Sequence, residues 1–130
     1  MKNKKAIQWG IILFGILSPY LARIPGMFIY GEHWLTSYFG SGLGALLFFG
    51  AFNAIVWGSI LIAIQNYQHA RSVWWPAVMG FALPLVAHAY IDLAADAQAA
   101  IALVIVPFYA LPGIFIGGWI GRWYDRRLSV

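Results

Sequence analysis

The chain has 130 residues, of which 62% are hydrophobic and only 9% are charged, and its formal net charge is +4 at pH 7. Soluble domains carry about 25% charged residues and cannot bury this much apolar surface at this length. The composition therefore predicts an integral membrane protein, and the lack of cysteine excludes disulfides, thiolate metal sites and cysteine nucleophiles.

Four stretches of the chain are apolar over the roughly 20 residues that a helix needs to cross a bilayer. They cover residues 6–22, 38–64, 73–91 and 99–121. Short polar segments separate them, and neither a repeat nor a linker divides the chain. We therefore predict one domain, residues 1–130, folded as an all-α four-helix transmembrane bundle with short loops.

The segment between the first two predicted helices, residues 23–37, is too interrupted to span a bilayer. Pro25, Gly26 and Gly31 break it, yet it is rich in large apolar and aromatic side chains. Such side chains are stable at the boundary between membrane and water. We predict an interfacial segment on the outer leaflet.

The distribution of basic residues predicts the orientation, because short cytoplasmic loops retain lysine and arginine. Four spans place both termini on one side, and that side carries every basic residue but Arg23. The basic residues of that side are Lys2, Lys4, Lys5, Arg71, Arg122, Arg126 and Arg127. We therefore expect both termini in the cytoplasm, and we assign the chain to a bacterial inner (cell) membrane as a multi-pass protein.

Small residues recur every four positions in two of the predicted helices. The sets are Gly40 and Gly44; Gly50, Ala54 and Gly58; and Gly113, Gly117 and Gly121. Small side chains at this spacing allow helix backbones to approach closely in lipid. The spacing predicts helix-packing faces, whose partner is either another helix of the same chain or a second copy.

Prolines interrupt the backbone hydrogen bonds of the last two predicted helices, at Pro84, Pro107 and Pro112. We expect kinks that are accommodated by packing, with a broken-helix ion site as the alternative. The polar side chains available as partners for the freed carbonyls are Tyr109, Ser59 and Asn53, of which Asn53 and Tyr109 are the intramembrane polar candidates. For Asn53, near the middle of the second predicted helix, we expect an interhelical hydrogen bond.

His88, Asp92 and Asp96 stand four residues apart, so on a continuous helix they would share one face. Together with Glu32 and His33 they would supply imidazole and carboxylate groups, which suit zinc or manganese. A proton path through His88 is a related alternative. The structural alternative is that Asp96 or Asp92 caps the start of the fourth helix.

Three classes of function fit these residues. The first is a non-catalytic protein that binds another membrane component, as an immunity protein or an accessory subunit does. The second is a small oligomeric channel or transporter, and the third is a metal-dependent membrane enzyme with its site at the outer face. We expect the first, with the lipid bilayer and a membrane protein or second copy as partners, no nucleic acid, and no cofactor beyond a divalent metal ion.

Overall fold

The computed structural model describes residues 1, 3–39, 43–95 and 98–129, with only the backbone given for residues 43–47, and this part of the chain consists of helices joined by turns and short loops, without strands. The helices are α1 (Lys4–Leu21), α2 (Ile24–Tyr30), α3 (His33–Thr36), α4 (Leu43–Ala63), α5 (Trp74–Tyr90) and α6 (Ala99–Leu128). One turn of 3-10 helix, Ala70–Val73, leads into α5. The prediction of an all-α chain is confirmed.

Three helical segments are long and apolar enough to cross a membrane. They are Lys4–Tyr30, which joins α1 and α2, Ala70–Tyr90, and Ala99–Leu128. Helix α4 has 21 residues, and its apolar part with described side chains is Phe48–Ala63. The structure therefore supports a multi-pass helical membrane protein.

Two helix ends differ from the predicted ones by more than two residues. The second predicted helix began at residue 38, but Tyr38 lies in the turn after α3 and α4 begins at Leu43. The fourth was predicted to end at residue 121, whereas α6 continues to Leu128. The basic residues Arg126 and Arg127 occupy its last turn, where cations are favoured by the helix dipole.

Helices α5 and α6 form the most extensive contact of the fold, and glycines of α6 make it close. A Cβ added to any of three glycines would lie 2.6–2.7 Å from a backbone oxygen. The pairs are Gly113 with Met79, Gly117 with Trp75, and Gly121 with Ser72. Only glycine fits at such distances, so this stripe packs against the α5 backbone and the turn before it.

Two hydrophobic clusters fill the interior between α1, α4, α5 and α6. The larger contains the buried side chains Ile11, Val56, Ile60, Ile64, Tyr67, Val73, Phe81, Ala110 and Ile114. The smaller contains Tyr20, Tyr38, Ala87 and Leu103. Each cluster lies beside a buried charged residue, Arg23 or Asp125, and we call the two ends of the molecule the Arg23 end and the Asp125 end.

Candidate functional site

Arg23 lies in the short turn between α1 and α2 and is fully buried. Its Nη1 donates to the carbonyl of Trp34 at 2.9 Å, and its Nη2 donates to the carbonyl of Ile91. The guanidinium carbon lies 3.9 Å from the ring centre of Tyr38 and 4.7 Å from that of Trp34. Carbonyl oxygens and aromatic faces therefore stabilise this charge, and within the described residues it has no carboxylate partner.

His88 is buried beside this cage of carbonyls and rings. The Tyr38 hydroxyl and His88 Nδ1 are hydrogen-bonded at 2.8 Å. Phe49 of α4 stacks on Tyr38, with ring centres 4.5 Å apart, and meets the His88 ring edge-on. His88 thus links α5 to the turn after α3 and to α4.

The predicted metal ligands other than His88 lie at the surface or outside the described residues. Helix α5 ends at Tyr90, within one residue of the predicted end at residue 91, so Asp92 lies beyond the helix and does not share a helix face with His88. Ile91 adopts an extended backbone there, and its carbonyl accepts from Arg23. The side chain of Asp92 instead accepts the backbone N–H of Ala94 at 2.9 Å, so Asp92 does not cap α6.

Glu32 and His33 are exposed at the start of α3. Asp96 lies outside the described residues. Within residues 1, 3–39, 43–95 and 98–129, no three histidine, aspartate or glutamate side chains come close enough to hold a metal ion. The zinc or manganese site, which includes Asp96, stays a prediction.

Asn53 is buried at the contact between α4 and α1. Its Nδ2 donates to the carbonyl of Gly15 at 2.8 Å and to the Ser18 hydroxyl at 3.1 Å. Asn53 therefore makes hydrogen bonds between two helices, which is how a polar side chain is stabilised at membrane depth. Tyr109, the other polar candidate, is 70% exposed on α6, whereas Asn53 is buried.

The glycine stripe of α4 has a different environment from that of α6. A Cβ added at Gly50 would have Ile16 as its nearest neighbour, at 3.9 Å, and one added at Gly58 would meet nothing within 4 Å. Ala54 between them is half-buried. Gly40 lies outside the described residues, and at Gly44 only the backbone is described.

An open groove runs along the surface between α4 and α6, and Ser59, the residue after Gly58, lines it. It encloses about 500 Å³ and is mainly apolar. Its lining is Ser59, Ile62, Ala63, Leu111, Ile114, Phe115, Gly118, Trp119 and Arg122. Small residues on both helices leave this space, since Ala63 and Gly118 face each other, and a Cβ added at Gly118 would lie 3.3 Å from the Ala63 Cβ.

Asp125 fastens the loop between α4 and α5 onto α6. Its carboxylate accepts the backbone N–H groups of Gln68 and His69, at 2.9 and 2.8 Å, and the hydroxyl of Ser72 at 2.8 Å. His69 Nδ1 lies 3.2 Å from the same carboxylate. Tyr67, in the same loop, donates its hydroxyl to the carbonyl of Gly118 at 2.7 Å.

Sequence reasoning missed the roles of Arg23 and Asp125. Each carried a signal, because Arg23 is the lone basic residue in an aromatic-rich segment and Asp125 is the lone acid among arginines. A charged side chain is rarely buried unless it is paired, and where no oppositely charged side chain is near, backbone groups can supply the charge-assisted hydrogen bonds. No protein-family model, curated protein or solved structure gives a significant match to the chain.

Proposed function

We propose that this protein is a four-span membrane protein that acts without catalysis by binding another membrane component in the groove between α4 and α6. The open groove is the observation that carries this proposal. Pockets of about 300–1,000 Å³ with a mainly apolar lining are the usual ligand sites of proteins. Immunity proteins and accessory subunits of membrane complexes act in this way, and we propose such a role for this protein.

The surface of the helices supports a bilayer as the surroundings. Large apolar side chains are strongly exposed on several elements, for example Phe28 (79%) on α2 and Phe115 (80%) on α6. Such extensive exposure of large apolar side chains is expected where a protein contacts lipid or another protein. The 21 residues of α4 extend about 31 Å at 1.5 Å per residue, close to the roughly 30 Å hydrocarbon layer, and this length supports α4 as a fourth span.

The polar groups of the protein support binding rather than chemistry. His88, Asn53 and Asp125 are each engaged with other parts of the chain. The groove, in contrast, offers apolar surface, one hydroxyl and one guanidinium. Such a lining recognises an apolar partner with a polar or charged end.

Reporter fusions test the topology. A fusion after Asp92 is expected to report the periplasm, and a fusion after Val130 the cytoplasm, because the basic residues cluster with the termini. A periplasmic signal at Val130 would refute the orientation.

Photocrosslinking in native membranes tests the binding surface. A benzoylphenylalanine at Ile62, which is exposed in the groove, is expected to capture a discrete membrane component. The matched control is Val86, which is similarly exposed on α5 but lies outside the groove lining. Equal, diffuse crosslinking at both positions would contradict the proposal.

A further inference from the structure

We propose that the groove between α4 and α6 binds one anionic phospholipid, with an acyl chain along the groove and the phosphate at Arg122 and Arg126. This inference rests on the proposed function and names the partner that the groove takes. A second, polar pocket of about 400 Å³ carries the argument. Its lining is Asn66, Tyr67, Gln68, Arg122, Asp125, Arg126 and Ser129.

The groove and the polar pocket adjoin, because Arg122 lines both of them. An occupant that extends from one into the other therefore has an apolar part and a polar part. A phospholipid has this construction, and the order fits a bilayer, since the polar pocket lies near the end of α6. A soluble metabolite would leave the apolar groove empty.

The charge of the polar pocket selects an anion. Arg122 and Arg126 are one helical turn apart on α6, so they lie on the same face, and both are exposed. Neither forms an ion pair with any residue that the structure describes. Arg127 stacks on Trp123 at 4.0 Å, so its guanidinium is engaged elsewhere.

Asp125, the one acid of the pocket, offsets only part of this charge, because it faces two arginines and its carboxylate is turned to the neighbouring loop. Its carboxylate accepts from Gln68, His69 and Ser72 in the neighbouring loop and is buried. Basic pockets between helices on the cytoplasmic side of a membrane are typical sites for anionic lipid headgroups. Each basic residue there raises the affinity about fivefold.

The aromatic side chains of the groove suit an acyl chain that ends at the interface. Trp119 lines the groove one turn before Arg122 and is 70% exposed. Tryptophan is stable at the level of the lipid headgroups, so its position marks the depth at which the acyl chain joins the headgroup. Phe115 continues the apolar wall one turn deeper.

Native mass spectrometry of the purified full chain in detergent tests this inference. The probes are phosphatidylglycerol and phosphatidylcholine with the same acyl chains, added in equal amounts. We expect a single phosphatidylglycerol adduct to dominate, and Arg122→Ala or Arg126→Ala to lower its share about fivefold each. The matched control is Arg71→Ala, which removes an exposed arginine next to Ser72 that lines neither cavity.

A second pair of variants tests whether the acyl chain binds in the groove. Ser59→Phe and the more conservative Ile62→Trp fill the groove from α4, and both are expected to reduce the adducts of both lipids while the unfolding midpoint stays unchanged. Undiminished phosphatidylglycerol binding in both variants would overturn the groove as the site. An equal loss in Arg71→Ala would show general charge attraction and overturn the inference as well.

The crosslinking experiment separates this inference from the proposed function. A lipid captured at Ile62 supports both. A protein or a second copy of this chain captured there would overturn the lipid inference and leave the proposed function standing. Crosslinking at Ile62 that does not exceed that at Val86 would overturn both.

Discussion

The Arg23 end and the Asp125 end each hold their connecting segments with one buried charged residue, but with opposite chemistry. Arg23 is a donor that reaches two backbone carbonyls, on Trp34 and Ile91. Asp125 is an acceptor that gathers two backbone N–H groups and a hydroxyl from one loop. Among the described residues, neither side chain forms an ion pair with a lysine, arginine, aspartate or glutamate.

The difference between the ends lies in what surrounds each charge. Arg23 is enclosed by the rings of Trp34 and Tyr38 and is fully buried. Asp125 borders a polar pocket that also contains the exposed Arg122 and Arg126. A charge with no access to water depends on its protein partners for all of its solvation. The Arg23 end is therefore the more sensitive to substitution and the Asp125 end the more open to ligands.

Replacement of Arg23 is expected to have the largest effect on stability. Arg23→Leu leaves the carbonyl of Ile91 without its donor and that of Trp34 with only the Ser37 hydroxyl, and an unsatisfied buried group costs about 1–3 kcal/mol. The variant also loses the contact of the cation with two aromatic rings, about 2 kcal/mol at a desolvated site, so we expect a loss of about 4 kcal/mol in the free energy of unfolding. Unfolding in detergent titrated with SDS measures it. The control Arg71→Leu, at an exposed position, should change the value by less than about 0.5 kcal/mol.

Arg23→Lys sharpens this prediction. Lysine keeps the charge but lacks the planar fork that reaches two carbonyls at once. We expect it to recover less than half of the lost stability. Full recovery would mean that the charge, rather than the two directed hydrogen bonds, stabilises this end.

Replacement of Asp125 is expected to have the next largest effect. Asp125→Ala removes the acceptor of Gln68, His69 and Ser72, and we expect a loss of about 3 kcal/mol in the free energy of unfolding, because the freed loop regains part of its solvation from water. Hydrogen exchange locates the change. The amides of Gln68 and His69 should exchange faster, while the amide of Trp34 at the other end should not. Uniformly faster exchange at both ends would contradict a local role.

Between the two ends, the glycines of α6 are expected to have an intermediate effect. In Gly117→Ala, the new Cβ would lie 2.6 Å from the Trp75 oxygen and 2.8 Å from the Pro76 Cα, both of which belong to the backbone. We expect a loss of about 2 kcal/mol, since α5 and α6 must separate. The control is Gly58→Ala on α4, where the added Cβ meets nothing within 4 Å. It should leave stability unchanged or raise it by up to about 1 kcal/mol.

Sequence patterns predicted the apolar segments and the close-packing glycines because those features are periodic. The stripe of Gly113, Gly117 and Gly121 is visible as a four-residue repeat, and its backbone contacts follow from the missing side chains. Spacing alone did not distinguish it from the stripe of Gly50 and Gly58. That distinction depends on which helix lies opposite.

The hydrogen bonds of Arg23 and Asp125 could not be predicted in the same way, because their partners are mainly backbone groups. Every residue has a backbone carbonyl, so the residue types at Trp34 and Ile91 do not indicate that these carbonyls accept from Arg23. Ile91 is also 68 positions away from Arg23 in the sequence. For the same reason the sequence does not indicate the turn after α5. Ile91 leaves the helix there and its carbonyl accepts from Arg23, so His88 and Asp92 do not share a helix face.

The smallest expected effect tests how the Arg23 end uses Tyr38. Tyr38→Phe removes only the hydroxyl that is hydrogen-bonded to His88 Nδ1 at 2.8 Å, so we expect a loss of about 1 kcal/mol in the free energy of unfolding. The ring over Arg23 remains in this variant, whereas Tyr38→Leu also removes the aromatic face that lies 3.9 Å from the guanidinium. A cation at a desolvated ring contributes about 2 kcal/mol, so the leucine variant should lose at least twice as much as the phenylalanine variant. Equal losses in the two variants would mean that the hydrogen bond to His88, and not the aromatic cage around Arg23, makes this end of the molecule sensitive.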